Sequence, residues 1–310
     1  MKKQVRLIEV GPRDGLQNEP THLSVEDRVE LIRRLADAGL RVIEAGSFVS
    51  PKWVPQMADS AAVLGRALTL VPKTVRLPVL VPNERGLTDA VSAGAREISI
   101  FAACSESFSQ ANTNCSIAES IRRLAAVVEL AKKKRMKIRG YLSVCFGCPF
   151  EGEVPEKKVV EMVKVMAKFG CYEVSIGDTI GVAHPGQVKS LFSKLKKIVP
   201  ISVLAGHFHD TRGMAVANAL MAWQMGVTAF DCSIGGLGGC PYAPGASGNV
   251  ATEDLVYMFD GLGVKTGVKL EKLREVNRWV EGRIGRPLPS AVGQVGPLKP
   301  KAREVSNLCS

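Results

Sequence analysis

The sequence predicts an α/β fold, namely a (β/α)8 TIM barrel with a short C-terminal helical appendage. Three observations predict it: the length of 310 residues, a local glycine and strand pattern that recurs four times, and eight apolar runs separated by helical ones. A barrel of this kind takes about 250 residues. We therefore expect one domain over residues 1–310, with the barrel at about 4–264 and the C-terminal helix and tail at about 265–310.

Four stretches share the same order of helix end, glycine and apolar run. They are AGLRVIEAG (38–46), AGAREISIF (93–101), FGCYEVSIGD (169–178) and MGVTAFDCSIGG (225–236). A glycine that follows a helical pattern is typical of a C-terminal cap, because glycine adopts the left-handed conformation without steric cost. Each stretch therefore predicts the end of a helix and the start of a buried strand.

The apolar runs predict eight strands, which lie near 5–10, 41–45, 75–81, 97–102, 137–144, 172–177, 201–207 and 229–234. Amphipathic helical stretches lie between them, with Ser24 and Ser116 as candidate N-caps. Buried strands that alternate with helices indicate a parallel sheet covered on its outer side, and eight of them favour a closed barrel over an open doubly wound sheet. Beyond about 265, LEKLREVNRWVEGRI predicts one further helix before a proline-rich tail.

The composition is that of a soluble globular protein, with 46% hydrophobic and 23% charged residues. The 41 basic and 30 acidic residues give a formal charge of +11, which favours an anionic partner such as a phosphorylated cofactor. Aromatic residues make up only 5% and form no basic stripe, so we expect no nucleic-acid partner. The sequence holds no apolar run of about 18 residues or more and begins MKKQVRLIEVG, so we expect no membrane partner and no targeting segment.

The eight cysteines are scattered without a disulfide framework. This usage predicts reduced thiols and a cytoplasmic location. Cys145 and Cys148 have the spacing of a redox or zinc pair, but no second pair accompanies them, so we expect them to be buried thiols.

Active sites of TIM barrels lie at the carboxyl ends of the strands. The candidate residues at those ends are Arg13 and Asp14 after the first strand, Glu44 at the second, Asp178 at the sixth, His207 and His209 at the seventh, and Cys240 and Asn249 after the eighth. We expect all of them to converge on one rim.

His207 and His209 are two residues apart on a strand end, so both imidazoles face the same way and form a natural metal-binding pair. Asp14 would add a carboxylate and Asn249 a carbonyl oxygen. Such a donor set suits Mg²⁺ or Mn²⁺, with Zn²⁺ as a further candidate. Arg13 could donate hydrogen bonds to a developing oxyanion. The alternative interpretations are a pair of structural histidines and, for the R-D-G triplet, a simple turn.

Seven motifs together span nearly the whole chain. They are EVGPRDGLQNE (9–19), VIEAGSFVSPKWVPQMAD (42–59), NCSIAESI (114–121), GCPFEGEV (147–154), GCYEVSIGDTIGVAHPG (170–186), HFHDTRGMAVANALMAWQMGV (207–227) and GLGGCPYAPGASGNVATEDLVYM (236–258). These motifs resemble those of the hydroxymethylglutaryl-CoA lyase family. The last is the most specific, because the related isopropylmalate and homocitrate synthases share the R-D-G and H-x-H elements but lack the GLGGCPY loop.

The resemblance implies a TIM-barrel lyase that splits 3-hydroxy-3-methylglutaryl-CoA into acetyl-CoA and acetoacetate with a divalent cation, as in leucine degradation and ketone-body formation. It also implies a homodimer. The roles that it implies are metal ligands at Asp14, His207, His209 and Asn249, a substrate contact at Arg13, and a catalytic thiol at Cys240. Glu44 joins the catalytic set as an orienting residue, with the general base left unassigned.

Three positions depart from the family's usual pattern. Cys104, His184 and Arg212 stand in AACSE, GVAHPG and HDTRGM, where relatives often have AASE, GVGTPG and HDTYGQ. The departures leave the metal and lyase residues intact but place the exact acyl group in question. The main alternative is a lyase for a related branched 3-hydroxyacyl-CoA, followed by a Claisen-type acyl-CoA synthase. A non-enzymatic barrel that serves as a binding module would show no metal dependence.

Overall fold

The structure, a computed structural model, describes residues 2–239 and 248–296. Its strands are β1 (Arg6–Glu9), β2 (Val42–Ile43), β3 (Gly46–Ser47), β4 (Val79–Leu80), β5 (Glu97–Ala103), β6 (Lys137–Ser143), β7 (Glu173–Asp178), β8 (Leu204–Phe208) and β9 (Ala229–Cys232). Its α-helices are α1 (Val25–Asp37), α2 (Ser60–Leu70), α3 (Glu84–Ser92), α4 (Glu106–Thr113), α5 (Ile117–Lys133), α6 (Glu156–Lys168), α7 (Pro185–Leu195), α8 (Ala215–Gln224), α9 (Thr252–Gly261), α10 (Leu270–Ile284) and α11 (Ala291–Gln294).

The strands form one parallel sheet in the order β2-β1-β9-β8-β7-β6-β5-β4-β3. β2 and β3, at the two ends of this order, are halves of the predicted second strand. The backbone between them bonds to both neighbours: Glu44 N donates to Glu9 O at 2.8 Å, and Ala45 N donates to Pro78 O at 2.9 Å. The sheet is therefore closed, and the predicted TIM barrel is confirmed.

Local signals in the sequence account for several helix boundaries. The four predicted capping glycines have positive φ angles, which are 113° at Gly39, 91° at Gly94, 78° at Gly170 and 104° at Gly226. The hydroxyl of Ser24 accepts a hydrogen bond from Asp27 N at 3.0 Å and caps α1. Ser116 caps α5 in the same way, accepting from Glu119 N at 3.2 Å. The sequence reading of these ends is thus confirmed.

The apolar side chains divide between the two faces of the barrel wall. Leu7 and Phe230 belong to the large core between strands and helices, whereas their neighbours Ile8 and Ala229 belong to a small cluster on the opposite face. Successive strand residues point to opposite faces, so the small cluster lies inside the barrel. None of the helices in the described ranges combines the length and the apolarity that crossing a membrane requires.

The predicted C-terminal helix is observed as α10, and the chain beyond it returns to the segment after β9. Asn277 Nδ2 of α10 donates to Glu253 Oε1 at 2.8 Å. Ser290 N donates to Gly235 O at 3.0 Å, and Ser290 Oγ donates to Asp254 Oδ1 at 2.8 Å. The appendage therefore contacts the carboxyl end of the barrel, where the candidate site lies.

Candidate active site

Three of the predicted metal ligands meet at the carboxyl end of the barrel. Asp14 lies in a π-helical turn after β1, His207 is in β8, and His209 follows that strand directly. One ligand atom from each lies within 4.8 Å of the others, and the two Nε2 atoms are 3.2 Å apart. Within residues 2–239 and 248–296, no other group of three or more His, Cys, Asp or Glu side chains is so arranged.

A buried carboxyl group at the end of β1 holds the loops that carry these residues. Glu9 accepts hydrogen bonds from Gly11 N and Ile234 N, each at 2.9 Å, and from the Thr252 hydroxyl at 2.6 Å. Burial raises the pKa of Glu9 to about 7, against the opposing effect of these donors. Glu9 therefore ties the turn after β1 to the segment after β9.

Arg13 is buried beside the cluster and is held by two carboxylates. Its Nε donates to Glu44 Oε2 at 2.6 Å and its Nη1 to Asp14 Oδ1 at 2.5 Å. The guanidinium carbon lies 5.5 Å from the centre of the Tyr141 ring. Burial lowers the pKa of Arg13, but the charges of Glu44 and Asp14 outweigh it and raise the pKa above its ordinary value. The site thus contains one permanently charged cation.

The protonation states of the cluster suit a cation. Burial raises the pKa of Asp14, but the charge of Arg13, followed by the imidazoles, outweighs it and lowers the pKa to about 2. Burial, together with the neighbouring His207, lowers the pKa of His209 to about 4. Burial also lowers the pKa of His207, but the Asp231 carboxylate outweighs it and gives a net rise. Asp14 is therefore an ionised carboxylate and His209 a neutral imidazole at neutral pH.

Asn249 lies next to the cluster. Its Nδ2 donates to Asp14 Oδ2 at 2.8 Å and to Leu237 O at 3.2 Å, and its backbone forms an antiparallel bridge with His209. An ionised carboxylate, two imidazoles and an adjacent amide form a nitrogen and oxygen donor set of the type that Mg²⁺, Mn²⁺ or Zn²⁺ takes. The residues present therefore fit a divalent cation.

A cavity of about 900 Å³ extends from the cluster to the surface. Arg13, Asp14 and both histidines line its inner end, whereas Trp53, Asn112 and Arg123 line other parts of its wall. This volume is at the upper end of the range of about 300–1,000 Å³ for small-molecule sites. The cavity can therefore take a long ligand whose one end lies at the cluster.

A family model described as HMGL-like matches residues 4–280. The chain belongs to the HMGL-like family. This family member is 53% identical over 294 residues to the mitochondrial hydroxymethylglutaryl-CoA lyase of Macaca fascicularis, covering 95% of this chain and 90% of that protein. The resemblance predicted from the motifs is confirmed.

Solved structures support the same family and fold. A hydroxymethylglutaryl-CoA lyase from Pseudomonas aeruginosa superposes with a TM-score of 0.91 at 45% identity, covering 94% of this chain and 97% of that chain. An HMG-CoA lyase from Acinetobacter baumannii, in complex with coenzyme A and 3-methylmalate, has a TM-score of 0.90 at 37% identity, covering 96% and 98%.

The three positions that depart from the usual HMGL-like motifs are not among the described residues that line the cavity. Cys104 is buried, with its Sγ 3.8 Å from Cys145 Sγ. His184 is the N-cap of α7. Arg212 Nη1 donates to two backbone carbonyls, Ile180 O at 3.1 Å and Gly181 O at 3.0 Å. The departures therefore lie behind or beside the cavity wall.

The remaining residues singled out from the sequence are Asp178, Cys240 and Cys148. Asp178 accepts hydrogen bonds from Val182 N at 2.9 Å and Ala183 N at 3.1 Å, so it shapes the loop after β7. Burial raises its pKa to about 6. Cys240 lies outside the described residues. Cys148 is buried, as predicted.

The sequence interpretation missed three polar residues inside the barrel. Asp231 lies beside His207, Arg139 pairs with Asp231, and Tyr141 lines the cavity. The available signal was their position, because each is a polar residue within a run that was otherwise interpreted as a buried strand. Charged side chains are almost never fully buried unless they are paired.

Proposed function

We propose that this HMGL-like protein is a carbon–carbon lyase that cleaves 3-hydroxy-3-methylglutaryl-CoA into acetyl-CoA and acetoacetate. The observation that carries the proposal is the grouping of Arg13, Asp14, His207 and His209 at the inner end of one large cavity. Relatives that are 51–53% identical over more than nine-tenths of the chain are hydroxymethylglutaryl-CoA lyases, and a solved relative is in complex with coenzyme A.

We propose Asp14, His207, His209 and Asn249 as the ligands of a divalent cation, Mg²⁺ or Mn²⁺, with Zn²⁺ as a further candidate. When bound, such a cation lowers the pKa of a coordinated hydroxyl and polarises it. The proximity of the three charged or imidazole ligands supports this assignment. So does the amide of Asn249, which lies against the Asp14 carboxylate.

Arg13 is proposed to bind the thioester side of the substrate. Cleavage of the C2–C3 bond sends its electron pair towards the thioester carbonyl, whose oxygen gains negative charge. Glu44 and Asp14 engage two of the five N–H groups of the guanidinium, which leaves others for that oxygen. Donors that are already oriented stabilise such charge without reorganisation. Glu44 is thus proposed as the residue that positions Arg13.

The proton balance requires one group to take the hydroxyl proton and one to protonate the enolate carbon. When the substrate hydroxyl loses its proton, the C2–C3 bond breaks and acetoacetate leaves with a ketone. The enolate of acetyl-CoA then takes a proton at carbon. We propose the Cys240 thiol as that donor, because the family resemblance implies it; Cys240 lies outside the described residues. General acid catalysis of this kind contributes about 10²–10⁴-fold.

The position of the three departures favours 3-hydroxy-3-methylglutaryl-CoA over another branched 3-hydroxyacyl-CoA. Cys104, His184 and Arg212 are not among the described residues that line the cavity, which supports a cavity wall without changes at these positions. The Claisen-type synthase is disfavoured because the chain carries the GLGGCPY loop that related synthases lack.

A coupled assay tests the activity. Purified protein is incubated with 3-hydroxy-3-methylglutaryl-CoA and Mg²⁺ or Mn²⁺, with and without a chelator, and acetoacetate is measured. We expect acetoacetate only with free metal, and none from the Asp14→Asn variant. Cleavage of a related thioester instead would select the alternative lyase. Inertness towards a panel of such thioesters would refute the enzymatic proposal and favour a binding module.

We further propose a cytoplasmic homodimer in which residues 1–310 form one catalytic domain. The six cysteines that the structure describes are all buried free thiols, which suits a reducing compartment. The contacts of α10 and of Ser290 with the barrel support a single domain. Light scattering that gives a mass near twice 33.3 kDa would support the dimer, and a mass near 33.3 kDa would refute it.

A further inference from the structure

Asp231 of β9 is a buried carboxylate beside the metal cluster, and both of its oxygens are engaged. Oδ1 accepts a hydrogen bond from Arg139 Nη2 at 2.7 Å, and Oδ2 accepts one from Ser175 Oγ at 2.5 Å. His207 Nδ1 lies 3.1 Å from the same Oδ2. His207 and Asp231 are register partners on β8 and β9, so their side chains stand side by side inside the barrel.

A second residue, Arg139, holds the Asp231 carboxylate in place. It is fully buried on β6 and also donates from Nε to Glu173 Oε1 at 2.7 Å. Its guanidinium carbon lies 4.7 Å from the centre of the Tyr141 ring. A buried cation between two buried carboxylates is costly to break. Asp231 is therefore kept in one orientation by groups that do not themselves touch the cluster.

This arrangement selects one form of the His207 ring. A carboxylate oxygen only accepts hydrogen bonds, so the proton on a neutral His207 ring lies at Nδ1, and Nε2 keeps its lone pair. The Nε2 atom faces His209 and Asp14. Partners of this kind are known to orient metal-binding imidazoles and to raise their basicity.

We propose that Asp231, held by Arg139 and Ser175, is a positioning residue that fixes the orientation and tautomer of His207 for metal binding. The inference rests on the proposed metal site and goes beyond it, because Asp231 is not itself a ligand. His209 provides an internal contrast. Its Nδ1 is buried and has no hydrogen-bond partner among the described residues, so no described carboxylate holds that side of its ring.

The tautomer is measured first, in wild-type protein without metal and at a pH high enough for the His207 ring to be neutral. The chain has only four histidines, so long-range ¹⁵N–¹H spectra resolve each ring, and the signals of His207 are assigned by their loss in His207→Gln. We expect the Nδ1–H form at His207. The Nε2–H form at this ring would overturn the proposal. This measurement needs neither catalysis nor a variant of Asp231.

Metal affinity is measured second, by titration with Mn²⁺ alone and detection of free Mn²⁺ by electron paramagnetic resonance. In Asp231→Asn, an amide N–H next to Nδ1 favours the wrong tautomer, and we expect Mn²⁺ binding to weaken by about 10–100-fold. Ser175→Ala keeps the contact between Asp231 and Arg139 and should weaken Mn²⁺ binding less than Asp231→Asn does. Asp260→Asn, the same change at an exposed position on α9, should bind as wild type.

The outcomes separate the two proposals. A folded Asp231→Asn variant that binds Mn²⁺ as tightly as wild type would overturn the positioning role. Wild-type protein that binds no Mn²⁺ would refute the proposed metal site. The measured tautomer of His207 would still test whether Asp231 orients that ring. If Asp231→Asn does not fold, as judged by circular dichroism, the wild-type spectrum and Ser175→Ala carry the test.

Discussion

The two histidines of the cluster are only two residues apart, yet the molecule holds them in different ways. His207 lies within β8 and is in contact with Asp231. His209 lies beyond the strand end, where its backbone pairs with Asn249, and Asn249 in turn donates to Asp14. We call the first set, His207, Asp231, Ser175 and Arg139, the interior side, and the second, Asp14, His209 and Asn249, the rim side.

The protein thus orients the side chains of the cluster in two different ways. On the interior side, side chains of neighbouring strands form a hydrogen-bonded polar network within the barrel. On the rim side, loops carry the proposed ligands, and the backbone of these loops donates hydrogen bonds to two buried carboxyl groups, Glu9 and Glu253. The interior therefore depends on strand register, whereas the rim depends on loop structure.

The largest expected effect is on the rim side, at Asp14. Asp14→Ala removes the only carboxylate of the proposed ligand set and one partner of Arg13. Metal-assisted charge stabilisation is worth several kcal/mol, so we expect kcat to fall by about 10³-fold or more. Turnover of the substrate with excess Mn²⁺ is the measurement.

Asn249→Ala removes a proposed neutral ligand from the same side, and we expect kcat to fall less than in Asp14→Ala, by about 10–100-fold. If both variants lose activity equally, or if Asp14→Ala keeps activity within tenfold of wild type, the assignment of Asp14 as the main anionic ligand is wrong.

Arg13 lies between the two sides, because it contacts Asp14 on the rim and the ring of Tyr141 inside the barrel. Arg13→Met should lower kcat by about 10²–10³-fold, the usual cost of losing one oxyanion donor. Glu44→Gln keeps the size of the side chain that holds Arg13 Nε and should cost less. Steady-state kinetics check both, and an Arg13→Met variant in which only KM rises would show that Arg13 binds the substrate without stabilising the transition state.

A moderate effect on stability is expected at the root of the rim side. Glu253 accepts hydrogen bonds from Gly235 N at 2.9 Å and from Asn277 Nδ2 at 2.8 Å. Burial raises its pKa from the ordinary 4.5 to about 8. Between these pH values the folded state holds a proton that the unfolded state releases, so the free energy of unfolding falls as pH rises.

Urea denaturation between pH 5.5 and pH 8.5 measures this fall. Glu253→Gln cannot ionise, so its free energy of unfolding should decline less than that of wild type, by about 1 kcal/mol or more, since a tenfold change in proton affinity is worth about 1.4 kcal/mol. Glu275→Gln, at an exposed position on α10, should follow wild type. A parallel pH dependence of wild type and Glu253→Gln would contradict the buried, protonated state.

The two sides also differed in how far the sequence revealed them. Arg13, Asp14 and Asn249 lie in recognisable motifs after strand ends, and His207 and His209 share a two-residue spacing, so all five were predictable. The contact between His207 and Asp231 depends on the register of β8 against β9, which no local pattern specifies. Arg139 belongs to β6, and its pairing with Asp231 additionally requires the barrel to close.

Much of the fold was also predictable from local sequence patterns. The strands that differ from the prediction differ for physical reasons. Glycine caps and apolar runs act locally, and these gave the eight strands and α10. The second strand appears as two short halves, of which β2 pairs with β1 and β3 pairs with β4. The fourth strand element, β4, is only two residues long, next to Pro78, which has no N–H to donate to a sheet.

The smallest effect on activity is expected at His184 and Arg212, two positions that depart from the family's motifs. Arg212→Tyr and His184→Thr restore the usual residues. His184 caps α7, and Arg212 donates hydrogen bonds to backbone carbonyls. Neither is among the described residues that line the cavity.

A residue that contacts a substrate group typically changes discrimination by about 10–200-fold. Because these two are not among the described residues that line the cavity, we expect the ratio of kcat/KM for 3-hydroxy-3-methylglutaryl-CoA to that for a related branched thioester to change by less than about threefold, a difference of only about 0.7 kcal/mol. Competition between the two thioesters measures the ratio directly. A tenfold change in either variant would mean that the rim beyond the cavity wall selects the acyl group, and the substrate would then have to be reassigned.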